Sequence, residues 1–224
     1  MSNYVIIRSK RKTLAIHIRD GHVEVRAPLK MSQSYIDRFV ASKENWITSK
    51  LSQAGTRRKE RDKFILDYGG FIRARGLEYK IVSRSGTMAG FDGEELYLPP
   101  NLKPESIKSI CTQIYRLLAK PYFTDRVAVY AEKMNVAPET VKVTGAKKRW
   151  GSCSGSKNIC FAWRLIMAED DVIDYVVVHE LAHLYEMNHS SLFWGIVEEV
   201  LPDYKERRER LRALQKKLES ENWD

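Results

Sequence analysis

An α+β fold follows from three observations on the chain. Apolar residues alternate with period 2 near the N-terminus, the period changes to 3.6 at Ser32, and a mainly helical pattern runs from Pro104 to the C-terminus. The expected organisation is a β-rich part with one long helix over residues 1–100 and a mainly helical part over 101–224, the two packed together.

Each element has its own signal. Val5 and Ile7, then Leu14, Ile16 and Ile18, fall on one side of the opening strands, and Asp20-Gly21 predicts a tight hairpin turn before Val23 and Val25 resume the alternation. From Ser32 onward Tyr35, Ile36, Phe39, Val40, Trp46, Ile47 and Leu51 lie near the helical repeat. Ser32 or Ser34 is the available N-cap and Gly55 lies beyond the end, which predicts one helix of about five turns. Strand-like runs over 64–98 are broken by Gly69-Gly70, Gly86 and Asp92-Gly93, and Pro99-Pro100 closes them. Ile107, Ile110, Cys111, Ile114, Leu117 and Leu118, then Phe123, Val127, Tyr130 and Met134, form apolar faces on one or two helices around Pro121. Val141–Val143 and Ile159–Phe161 predict short strands flanking a Gly/Ser-rich turn from Gly151 to Ser156. Three helices are expected at about 171–187, 191–200 and 203–220.

Composition narrows the class. The chain has no apolar run long enough for a membrane span, and its N-terminus leads straight into strand-like sequence without a signal segment, so a soluble cytoplasmic protein is expected. Three cysteines, Cys111, Cys153 and Cys160, are too few for a disulfide framework and fit a reducing compartment. The net charge of +9 resides in residues 1–63, which hold 15 Lys+Arg against 6 Asp+Glu. A basic N-terminal third can attract nucleic acid, a nucleotide or an acidic protein, or simply present a solvated face.

The chemistry concentrates in Val178-His179-Glu180-Leu181-Ala182-His183. Two histidines four residues apart on a helix share one face about a turn apart, where both can ligate one metal ion. Glu180 follows the first ligand, in place to act as general base for a water at the metal's open side. A hydrolytic zinc site needs a third protein ligand, and His189 supplies it if Asn188 ends the helix in a left-handed conformation and Ser190 caps the next one. Glu186, two turns from His179, is the weaker alternative. His17 and His22 read as surface residues. The spacing fits metzincin proteases poorly, because Glu186 stands at their turn glycine and no methionine follows His189. Arg149, before the Gly/Ser turn, is a candidate for stabilising negative charge on a substrate oxygen, with a structural arginine as the alternative. Cys153 has no free histidine near it in sequence to activate it, and Tyr185 is a packing or an oxyanion residue.

The chain resembles the YgjP-like metallopeptidases over nearly its whole length. The resemblance rests on Arg149-Trp150-Gly151-Ser152-Cys153, Trp163-Arg164-Leu165, Tyr175 to Leu184, Asn188-His189-Ser190 with Phe193-Trp194, and Leu201-Pro202-Asp203. The opening strands with Ala27-Pro28 and the helix bearing Trp46-Ile47 add to it. It implies a zincin-like, mainly helical catalytic part behind the β-rich N-terminal part, with Zn2+ held by His179, His183 and His189 and with Glu180 catalytic. Ala162 departs from the asparagine expected there. The leading expectation is a zinc metallopeptidase acting on peptide or protein. The first rival is a nucleoside triphosphate (UTP-type) pyrophosphohydrolase in which Lys147, Lys148 and Arg149 hold the phosphates. The second is a DNA-associated protease like the SprT-like zincins, and the third is a structural zinc site, which usually takes a closed set of four ligands.

Overall fold

The computed structural model describes residues 3–19 and 21–223. The fold is α+β, with ten strands in three sheets and six α-helices among the described residues. Contacts group the chain into two compact units. One runs from the N-terminus to Phe64 and includes Glu219–Asn222, and the other is Ile65–Leu218 with Trp223. The four-stranded sheet that follows residue 64 therefore belongs to the same unit as the histidine-bearing helix.

In the first unit β1 (Tyr4–Ser9), β2 (Ala15–Arg19) and β3 (His22–Pro28) form a sheet of order β1-β3-β2, with β3 parallel to β1 and antiparallel to β2. The β2–β3 hairpin is closed by Arg19 opposite His22. Gly21 takes a φ of 79°, and Asp20 lies outside the described residues. Tyr4 and Ile6, not Val5 and Ile7, pack on the core of Val23, Val25, Ala27, Ile36, Val40 and Ile47. The alternation read at Val5 and Ile7 does not fix the face, because Tyr4 and Ile6 between them are apolar too, so pairing with β3 decides it. The single helix expected from Ser32 is two: α1 (Gln33–Ser42), capped by the Ser32 hydroxyl, and α2 (Glu44–Lys63). Gly55 does not end α2, which runs two turns further.

The second unit opens with β4 (Phe71–Ala74), β5 (Leu77–Ser83), β6 (Gly90–Phe91) and β7 (Glu95–Leu98) in the order β4-β5-β7-β6. Arg75 and Gly76, both at positive φ, make the β4–β5 turn, and a Cβ on Gly76 would sit 2.7 Å from Glu169 Cγ. α3 (Pro104–Lys133) is one continuous helix through Pro121 and buries Ile107, Cys111, Ile114, Tyr115, Phe123, Val127 and Tyr130. β8 (Thr140–Thr144), β9 (Gly151–Cys153) and β10 (Asn158–Ala162) form the third sheet. β10 lies in the middle, parallel to β8 and antiparallel to β9. β9 is thus an edge strand built from residues that read as a turn. A 3-10 helix (Trp163–Met167) leads into α4 (Asp170–Ala182), α5 (Ser191–Val200) and α6 (Tyr204–Leu218). No helix of the described residues is long and apolar enough to cross a membrane.

Candidate metal centre

Helix α4 carries the site, and its sequence explains how it is held. Val176-Val177-Val178 is a β-branched run with modest helix propensity, so burial rather than propensity stabilises it. Val172, Ile173, Val176, Val177, Val178, Leu181 and Ala182 are all buried. Asp170 and Asp171 in its first turn suit the positive end of the helix dipole. Two carboxylates one turn apart pin it. Asp170 accepts from Arg75 at 2.7 and 2.6 Å and from the Tyr122 hydroxyl at 2.7 Å. Asp174, almost wholly buried, accepts from Arg126 at 2.7 and 2.8 Å and from the Tyr130 hydroxyl at 2.9 Å. Arg210 of α6 bridges Glu169 and Asp171 on the helix's other side.

The helix ends at Ala182, about a turn before the expected boundary, and His183 is its C-cap in right-handed conformation. Asn188 is not left-handed. Leu184, Tyr185 and Glu186 instead close the end through hydrogen bonds back to the carbonyls of Leu181 and Ala182. Ser190 caps α5 through Phe193 N, as expected. This turn returns His189 to α4. The candidate ligand nitrogens of His179, His183 and His189 all lie within 4.8 Å of one another, and His179 Nε2 is 3.0 Å from His189 Nε2. His183 Nδ1 is 3.1 Å from the Glu186 carbonyl; donation there leaves Nε2 as the free lone pair. Burial, then the neighbouring imidazoles, push His179 down to about 3, so its ring stays neutral, the form that ligates a metal. His179 Nδ1 is buried without a hydrogen-bond partner. Phe193, fully buried, packs against all three rings with centroids 4.9, 4.6 and 4.7 Å from His179, His183 and His189.

Glu180 is 5% exposed, and burial pushes its carboxyl up to about 8, against the pull of Arg149's charge. Gly151 of β9 explains how the carboxylate fits. A Cβ there would lie 2.3 Å from Glu180 Oε1 and 2.6 Å from Cδ and Cγ, so the absence of a side chain makes room for the carboxylate. Arg149, Lys148 and Lys147 are exposed on the loop before β9. The weaker candidates separate from the cluster. Glu186 Oε1 accepts from Asn188 N, and the Tyr185 hydroxyl donates to the Met134 carbonyl. Cys111, Cys153 and Cys160 are free thiols, and burial raises Cys111 to about 12 and also raises Cys153. His17 is half-buried and His22 exposed, both in the other unit. The steric role of Gly151 and the packing role of Phe193 were not read from the sequence. A glycine followed by Ser-Cys-Ser-Gly signals a turn, and a phenylalanine at a helix start signals core.

Three imidazoles and a buried carboxylate on a helix and its return loop describe a candidate metallohydrolase centre. Residues 12–214 match the family described as YgjP-like, metallopeptidase domain, and the chain belongs to that family. Membership implies a metal ion and a hydrolase. No curated protein matches the chain. Among solved structures it is similar to the metallopeptidase zymogen abylysin of Pyrococcus abyssi, at 26% identity over 41% of this chain and 92% of that one, with a TM-score of 0.38. It is also similar to the metallopeptidase zymogen jannalysin of Methanocaldococcus jannaschii, at 16% identity over 41% and 94%, with a TM-score of 0.37.

Proposed function

We propose that the chain is a zinc-dependent peptidase with His179, His183 and His189 as the metal ligands and Glu180 as general base. The convergence of the three imidazoles carries this reading. Two ring nitrogens 3.0 Å apart share either a proton or a cation, and the third imidazole, with all candidate ligand atoms within 4.8 Å of one another, completes a set that suits a cation. Tetrahedral zinc with Zn–N near 2.0–2.1 Å places ligand nitrogens about 3.4 Å apart, close to what His179 and His189 offer. An all-imidazole donor set favours zinc over calcium or magnesium, which prefer oxygen. Three ligands leave a position open, as hydrolytic sites do and structural sites usually do not.

When bound, zinc supplies a Lewis acid that polarises the scissile carbonyl and acidifies water. Glu180 takes the proton from the attacking water and delivers it to the leaving amine. Glu180 acts as the carboxylate in this role, a form that a metal held by the three histidines would favour against the burial that raises its pKa. Arg149, whose charge reaches Glu180, stabilises negative charge as it develops on the carbonyl oxygen. The open edge of β9 offers backbone donors and acceptors to an extended peptide, which would lie across the Gly151 end of the site as an added strand.

One observation favours a second reading at the same residues. Lys147, Lys148 and Arg149 are consecutive and exposed on the loop before β9, and the charge of Arg149 reaches Glu180, a set that suits the phosphates of a nucleoside triphosphate. Product analysis of the zinc-loaded protein against unstructured peptides and nucleoside triphosphates in parallel decides between them, with peptide cleavage expected. Elemental analysis should find about one zinc per chain, and His189→Ala should lose it while His17→Ala and His22→Ala keep it. Equal retention in all three would remove His189 from the ligand set.

A further inference from the structure

Helix α6 presents a row of arginines, and one differs from the rest. Arg207 pairs with Asp203 at 2.9 Å, Arg210 with Glu169 and Asp171, and Arg212 with Glu209. Arg208 makes no ion pair and no hydrogen bond through its side chain among the described residues. Its guanidinium carbon lies 5.3 Å from the centroid of the Trp194 ring. Trp194 in turn stacks on His189, at 5.8 Å and 30°, and lies 5.8 Å from the His179 ring. Tyr204, buried and one turn before Arg208 on α6, stacks on Trp194 at 5.4 Å and 17°, so the platform under the guanidinium is fixed by packing.

Half-buried arginines are ordinarily satisfied by a carboxylate, because the planar fork binds one bidentately. Here the cation is held on an aromatic face beside two candidate ligands, with its donors uncommitted. Tyr175 repeats the pattern from α4. It lies one turn before His179, with ring centroids 6.0 Å apart, and its hydroxyl has no hydrogen-bond partner among the described residues.

We propose that Arg208, seated on Trp194, anchors a carboxylate of the substrate, so that the site selects peptides bearing an acidic side chain or a free C-terminal carboxylate close to the scissile bond. The steps of 5.3 Å from Arg208 to Trp194 and 5.8 Å from Trp194 to His189 bound the separation at no more than about three residues of extended peptide. Arg208 is a specificity residue in this account, and the proposal rests on the peptidase reading above.

The test uses the full zinc-loaded chain and one peptide series. A Glu or Gln is scanned over three positions on either side of the cleaved bond, each peptide with a free and with an amidated C-terminus. Two quantities are read: kcat/KM with Glu180 intact, and equilibrium binding by calorimetry to the Glu180→Gln protein. Both are repeated with Arg208→Ala, Arg208→Gln and Arg208→Lys, whose folding is checked by thermal unfolding.

Either the Glu peptide at one position should bind and turn over about 10- to 100-fold better than its Gln partner, or the free-terminus peptide should do so over its amidated partner, the range of a charge-assisted hydrogen-bonded pair. Arg208→Ala and Arg208→Gln should remove that preference while leaving the Gln or amidated partner within about threefold, and Arg208→Lys should restore part of it. A Glu-over-Gln preference that survives amidation identifies the side chain as the carboxylate's source, and a free-over-amidated preference shared by Glu and Gln peptides identifies the terminus. No preference in the unsubstituted protein, or equal losses on both members of the preferred pair in the variants, would overturn the proposal. Selective binding without cleavage of any peptide would sink the peptidase reading and leave the carboxylate anchor standing. Cleavage without selectivity would do the reverse.

Discussion

Gly151→Ala adds one methyl group where the structure has no room for it. The new Cβ would stand 2.3 Å from Glu180 Oε1 and 2.6 Å from its Cδ and Cγ. Carbon atoms in contact rest about 3.5–4.0 Å apart, so the carboxylate or β9 must retreat by roughly 1 Å. The φ of Gly151 is not positive, so alanine meets no backbone penalty and the whole cost is this collision. Glu180 is buried and two of the three crowded atoms lie below its carboxylate tip, so rotation of the oxygens alone does not relieve it. Overpacking of this kind costs about 1–3 kcal/mol, which lowers Tm by roughly 2–12 °C for a chain of this size. Displacing Glu180, the proposed general base, by about 1 Å should cost on the order of a hundredfold in kcat/KM. The assay is peptide cleavage with zinc content and thermal unfolding measured on the same samples. Zinc should be retained, because His179, His183 and His189 are not the atoms struck. Combining the change with Glu180→Ala should recover most of the lost stability, since the two substitutions share the collision. Full activity with unchanged Tm in the single variant would refute the claim that Gly151 seats Glu180.

Two further predictions concern the frame. Asp174→Ala should destabilise the protein by about 3 kcal/mol, because it strands Arg126 and the Tyr130 hydroxyl, whereas replacing Asp174 and Arg126 together by apolar residues should cost less; denaturant unfolding of the double-mutant cycle checks this. The Arg75 hydrogen bond, followed by that of Tyr122, holds the folded Asp170 carboxyl below its ordinary value. Its stabilisation is therefore full above about pH 4 and is lost as pH falls through the lowered value, so Asp170→Asn should flatten the acid limb of stability below about pH 4. An unchanged acid limb would show that solvent screening at this half-exposed pair removes the effect.

The histidine cluster was legible because its pattern is local. The i, i+4 spacing of His179 and His183, the intervening Glu180 and the Ser190 cap are short-range patterns, and the structure brings the three histidines together where that pattern places them. The route of the return loop was not legible. The sequence pointed to a left-handed Asn188, while the helix stops at Ala182 through backbone bonds that no side chain signals. β9 read as a turn because Gly, Ser and Cys carry little strand propensity, and only pairing of Gly151–Cys153 with Ile159–Phe161 makes it a strand. The same limit applies to β1, where a continuous apolar run hides which face is buried until β3 pairs with it. Gly151's contact with Glu180 and Arg208's seat on Trp194 join residues far apart in sequence, which periodicity and spacing do not address.

The central claim is that zinc is held by three histidines while Glu180 moves the proton. Glu180→Gln tests it most directly, since the amide keeps the volume beside Gly151 and removes the basic oxygen. With zinc content and hydrolysis measured on one preparation, the account predicts about one zinc per chain retained and turnover lowered by at least about a hundredfold. Undiminished turnover would contradict the assignment of Glu180 as base, and loss of the metal would make Glu180 part of the metal's own hold.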